Sequence, residues 1–146
     1  MTTADEATAR LASSIPIAHQ MRVRVLDVGP GRATAEVPLE GNQNHVGTMY
    51  AGVLFTLAEL LGGLLAMASF DTAAYFPIVK DVRIQFRRPA TSAIRATATL
   101  DDVAISAITT EAESNGKADY ALNAELVDEN GTVVASTEGT YQLRRR

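Results

Sequence analysis

The 146-residue chain has no cysteine, which excludes a disulfide scaffold, thiolate metal sites and cysteine nucleophiles together. Histidine is almost as scarce: His19 and His45 stand 26 positions apart, too sparse for a His-rich metal cluster. There is no excess of basic residues. A net charge of −4 argues against nucleic acid as a partner. The first sixteen residues, MTTADEATARLASSIP, contain acids and no apolar run, so they read as neither a signal nor a transit peptide. What is present is a globular composition, 47% hydrophobic and 21% charged, of a length suited to one domain over 1–146. No linker, internal repeat or low-complexity segment divides it, and the expectation is a soluble cytoplasmic protein.

Charge is scarcest between Gly41 and Phe70, thirty residues with a single acid, Glu59, and no Lys or Arg. The segment GVLFTLAELLGGLLAMASF is apolar on every side at 3.6 residues per turn, so it belongs in a protein core or a membrane. Glu59, Thr56 and three glycines interrupt it, and no basic flank orients it, which favours a buried helix over membrane insertion.

The remainder alternates at period two. Met21, Val23 and Val25 form one apolar face, and Ala33, Ala35, Val37 and Leu39 a second after the turn residues Gly29-Pro30-Gly31. Val82, Ile84 and Phe86 follow, closed by Pro89, and then Ile94, Ala96, Ala98 and Leu100. Tyr120, Leu122, Ala124 and Leu126 lead to the hairpin signal Asn130-Gly131, with Val133, Ala135, Tyr141 and Leu143 beyond it. Two further helices are expected, at about Asp5–Ser13 and 103–115. The second has Ile105, Ile108 and Ala112 on one stripe and ends at Gly116, although Ile108-Thr109-Thr110 also suits a strand. About six antiparallel strands, each with one apolar face, need a cover, and the helix starting near Thr48 is the available one. The predicted fold is α+β, a curved sheet wrapped round one buried helix.

Glu59 is the first candidate for chemistry. An unpaired buried carboxylate costs several kcal/mol, whereas Gln, Met or Leu there would not. It is therefore a functional acid facing a cleft, or the partner of a strand arginine such as Arg83 or of another hydrogen-bond donor. The helix start comes next. Ala51 and Gly52, seven or eight residues before Glu59 on the same face, leave backbone N–H groups free to hold an oxyanion, or else simply permit close packing. Lys80, Arg83, Arg87, Arg88 and Arg95 gather positive charge within sixteen residues, suited to phosphate or to a solvated strand face.

The segment Asn44-x-x-Gly47-Thr48-x-Tyr50-Ala51-Gly52, followed by Leu57-Ala58-Glu59, resembles the helix-start motif of hotdog-fold thioesterases of the phenylacetate-pathway and human acyl-CoA thioesterase 13 type. That family reads Asn-x-x-Gly-Thr-x-His-Gly-Gly and then Leu-[Ala/Val]-Asp. The strand from Lys80 to Ala90 resembles the family strand that ends in a Pro-Ala turn, and the likeness runs loosely from Met21 to Leu143. The resemblance implies a hotdog fold and a dimer or tetramer with sites between subunits. It makes Glu59 general base or nucleophile, Ala51 with Gly52 the oxyanion-binding start of the helix, and Asn44 the residue placing water or carbonyl. Acyl-coenzyme A is the implied substrate, with no metal and no cofactor.

This sequence departs from the family at four points. Tyr50-Ala51 replaces His-Gly, Glu replaces Asp, Val79 stands where some members carry Ser or Thr, and the helix at 103–115 is extra. The substrate-binding set is then His45, Tyr50, Val79, Arg83, Arg87 and Arg88. A catalytically silent acyl-CoA or lipid-binding module is the competing reading. The fourteen-residue spacing of His45 and Glu59, shared with acyl-carrier dehydratases, supplies a third.

Overall fold

A computed structural model describes residues 2–146. The chain opens with helix α1 (Ala4–Ser14), whose N-cap Thr3 exchanges hydrogen bonds with Glu6 in a capping box. A short helix α2 (Pro16–Gln20) follows with proline in its first turn, where a missing N–H costs nothing. The sequence pattern predicts no element there. Strands β1 (Arg24–Gly29) and β2 (Arg32–Val37) form the first hairpin. Met21 lies in the turn before β1, and Leu39 lies past β2, so both apolar faces are shorter than their periodicity predicts.

Helix α3 (Ala51–Ser69) begins at Ala51, three residues later than expected. The reason is two main-chain bonds to other segments: the Met49 amide donates to the Ala90 carbonyl at 2.9 Å and the Tyr50 amide to the Asn42 carbonyl at 2.8 Å. Those bonds hold the approach extended, with Tyr50 at ψ 136°.

Beyond α3 come β3 (Tyr75–Phe86), β4 (Ile94–Thr99), α4 (Asp102–Asn115), β5 (Lys117–Val127) and β6 (Val133–Arg145). The six strands form one antiparallel sheet in the order β1-β2-β4-β5-β6-β3. β3 starts well before the alternation at Val82, because a register shift between Val79 and Asp81 breaks the period. Its Pro77 is tolerated because β3 is an edge strand. α4 settles the helix-or-strand choice. Asp101 caps it, its Oδ1 accepting from the Ala104 amide at 2.7 Å, and Gly116 ends it at φ +76°.

By length and composition α3 could cross a membrane. It is instead the core of the fold, with Leu57, Leu61 and Leu65 almost wholly buried against the inner face of the sheet. That face supplies Ala33, Ala35, Ala96, Leu126 and Leu143, small residues at the centre letting sheet and helix approach closely. This α+β arrangement, a six-stranded sheet curled round one long helix, is the hotdog fold.

Candidate functional site

Glu59 sits at the middle of α3, half-buried in the wall of a cleft of about 290 Å³ between α1 and α3. Leu11 of α1 and Ile15 just past its end, Leu60 and Leu64 of α3, Val28 and Pro77 form its apolar sides, and Arg10 stands at its rim. Among the described residues the Glu59 carboxylate makes no ion pair. Burial raises its pKa above the ordinary carboxylate value, since the charged form loses water.

An ion pair with Arg83 is ruled out by sidedness. Arg83 is in register with Glu138 on the outer face of the sheet, whereas Glu59 lies inside it. Val79 is in register with Tyr141 and so shares the helix-facing side, exposed at the free edge of β3.

Asn44 organises the loop before α3. Its Oδ1 accepts from the Val46 and Thr48 amides at 3.0 and 3.1 Å, and its Nδ2 donates to Thr48 Oγ1 at 2.8 Å. This Asx turn uses one of the two amide hydrogens, and Asn44 lines a depression that it shares with Ala51. At the start of α3, the Val53 and Leu54 amides both turn back to the Tyr50 carbonyl, at 3.0 and 3.3 Å. The Ala51 and Gly52 N–H groups have no backbone acceptor among the described residues. Tyr50 is exposed, and its ring lies close against Gly52, where a Cβ would come within 2.6 Å of it.

Asn44, Ala51, Arg87 and Arg88 meet in a second, open depression of about 340 Å³, with Leu54 and Phe86 as apolar floor. Arg87 also donates to Ser136 Oγ at 3.0 Å and to Gln85 at 3.1 Å. His45 is exposed on the same loop but does not line that depression. The rest of the basic group is dispersed: Lys80 pairs with Asp119 at 2.8 Å and Arg95 with Glu36 at 3.3 Å.

The site residues therefore fall in two places on one chain. Ala51 and Glu59 are eight positions apart, about 12 Å along the helix axis, and they open into different hollows. The sequence reading did not include the α1 wall of the Glu59 cleft. Its signal was present in Ala7 and Leu11, an i,i+4 apolar pair, both buried here.

Comparison with known proteins agrees with this architecture. A family described as a domain of unknown function (DUF4442) matches residues 6–143, and the chain belongs to it. A structure from Pseudomonas aeruginosa, described as a protein of unknown function and probable thioesterase, is 44% identical. Its TM-score is 0.93, covering 100% of this chain and 99% of that one. A protein of unknown function from Chlorobaculum tepidum shares the fold at 18% identity, TM-score 0.86, with 98% and 94% of the two chains covered. A thioesterase from Haemophilus influenzae does so at 15% identity, TM-score 0.78, with 99% and 92% covered. No curated protein matches the chain.

Proposed function

We propose that the protein is an acyl-coenzyme A thioesterase, one hotdog domain working as a dimer or higher oligomer. The observation that carries the reading is Glu59, a half-buried carboxylate with no ion pair among the described residues, in the wall of an apolar cleft. Such a group costs stability, and a base whose pKa burial has raised repays that cost in chemistry. The 44% identical probable thioesterase supports the same class.

In the proposed mechanism Glu59 accepts a proton from water as the water oxygen bonds to the thioester carbonyl carbon. The Ala51 and Gly52 amides hold the resulting oxyanion. Collapse breaks the C–S bond, and the proton passes to the departing thiolate, releasing acid and thiol. Because Glu59 and Ala51 open into separate hollows, a complete site needs Glu59 of one copy beside Asn44 and Ala51 of another. The free edge of β3, with Val79 and Phe86 exposed, is the surface that supports such pairing. Arg87 and Arg88 beside Ala51 suit the phosphates of the carrier.

A panel of acyl-CoAs assayed by thiol release tests the reading directly. Glu59→Gln keeps shape and removes the base, so kcat should fall by about 10²–10⁴-fold with KM little changed. Turnover equal to wild type would overturn the mechanism. Binding of acyl-CoA without turnover by either protein would leave a silent binding module, a reading that the Tyr50 ring packed on Gly52 favours.

A further inference from the structure

We infer that the cleft between α1 and α3 is the acyl subsite, that it takes an unbranched aliphatic chain, and that Gly63 sets the length accepted. This deepens the thioesterase reading and rests on it for the identity of the thioester.

The two adjacent glycines of α3 have opposite surroundings. A Cβ on Gly62 would collide with the ring of Tyr141, so that glycine exists for close packing against the sheet. A Cβ on Gly63 would meet no atom within 4 Å. No packing demand within the chain explains Gly63, although a glycine inside a helix is destabilising relative to alanine. The space it leaves is the cleft itself, one turn beyond Glu59.

The chemistry of the walls selects the occupant. Leu11, Leu60, Leu64, Met67 and Pro77 provide apolar contact on several sides, and Glu59 is the acid among them. Thr2, Arg10 and Ser14 are the other polar residues of the lining; an aliphatic chain fits the apolar stretch along α3, where an anionic acyl group would lie against the Glu59 carboxylate. α1 walls one side of the space and α3 another, so the cavity is a half-open slot between two helices. A carbonyl placed near Glu59 would direct its chain along α3 past Gly63 towards Met67.

The test uses the intact protein and non-hydrolysable thioether analogues of acetyl-, hexanoyl- and decanoyl-CoA, with affinity read by calorimetry. Wild-type affinity should rise about fourfold per methylene until the slot is full. Gly63→Leu should leave acetyl binding within about twofold and weaken decanoyl binding by more than about tenfold, the loss of two methylenes or more. Gly63→Ala, which improves helix propensity, should fold and shift the profile in the same direction by less. A chain-length profile unchanged in both variants would overturn the subsite, as would absence of binding at every length. The hydrolytic reading is judged separately by thiol release from the true thioesters. A shifted binding profile with no thiol released would uphold the subsite and overturn hydrolysis. Thiol release with an unshifted profile would do the reverse.

Discussion

The Tyr141 hydroxyl of β6 donates to the main-chain carbonyl of Glu59 at 3.1 Å, tying the sheet to the helix at the residue that carries the carboxylate. Tyr120 of β5 does the same one turn on, donating to the Gly62 carbonyl at 3.2 Å, and the two rings stack with centroids 5.6 Å apart. Burial, reinforced by the neighbouring Glu59 charge, pushes the Tyr141 hydroxyl up to about 12, so it stays a donor throughout the physiological range. This clamp fixes both the depth of α3 in the sheet and the direction of Glu59 away from it.

The clamp predicts that Gly62 and Gly63 respond in opposite senses to alanine. Gly62→Ala drives a methyl group into the Tyr141 ring, and overpacking of this kind costs about 1–3 kcal/mol. Gly63→Ala meets nothing and should gain up to about 1 kcal/mol of helix propensity. Thermal unfolding of the two variants checks this; a lower melting temperature for Gly63→Ala than for Gly62→Ala would contradict the packing.

Removing the Tyr141 hydroxyl alone should be mild. Tyr141→Phe keeps the stacked ring and loses one hydrogen bond to a carbonyl, about 0.5–1.5 kcal/mol in chemical denaturation. A larger loss would show that the ring itself had moved.

Glu59 makes stability depend on pH with a definite sign. Its folded pKa is raised, so the folded state binds the proton more tightly than the unfolded state. The stabilisation is fully present below the unfolded carboxylate pKa, about 4.3, and is lost as pH rises through the folded value. Glu59→Gln removes that loss. The variant should melt above wild type at neutral pH, and the gap should close at acidic pH below the unfolded value. A gap of constant size across the range would contradict the assigned desolvation.

The edge of β3 predicts association. Val79→Lys places a charge at the exposed edge, on the side facing the helix, and should shift light scattering from a multiple of the chain mass towards the single chain. Turnover should fall with it, because Glu59 and Ala51 then lack a second copy. A wild type that is monomeric at micromolar concentration would overturn the shared site.

The arginines should separate by face. Arg88 lines the depression with Ala51, so Arg88→Glu should raise KM for acyl-CoA several-fold, more at low salt than at high salt. Arg83 faces Glu138 on the outside, so Arg83→Glu should leave KM within about twofold. Equal responses would mean the carrier lies elsewhere.

Much of this was legible in the residues. The alternation of Ala33 to Val37, Ile94 to Ala98 and Tyr120 to Leu126 falls in strands β2, β4 and β5, because a half-buried strand shows its sidedness at every second residue. Asp101 and Gly116 bracketed α4 because capping chemistry is local. β3 was only half legible. The shift between Val79 and Asp81 breaks its period, and an edge strand has less apolar surface to declare.

Sequence by itself determined the class of architecture: an all-round apolar helix and six one-sided strands leave few ways to bury what they carry. It also marked Glu59, since one acid in thirty uncharged neighbours is visible without coordinates. Tertiary structure alone decided that Arg83 and Glu59 lie on opposite sides of the sheet, that α1 forms a wall of the cleft, and that Glu59 and Ala51 open into different hollows. The physical reason is range. Periodicity and capping are set by neighbours a few positions apart, whereas sidedness after a bulge and the meeting of α1 with α3 depend on contacts between residues more than forty positions apart in the chain.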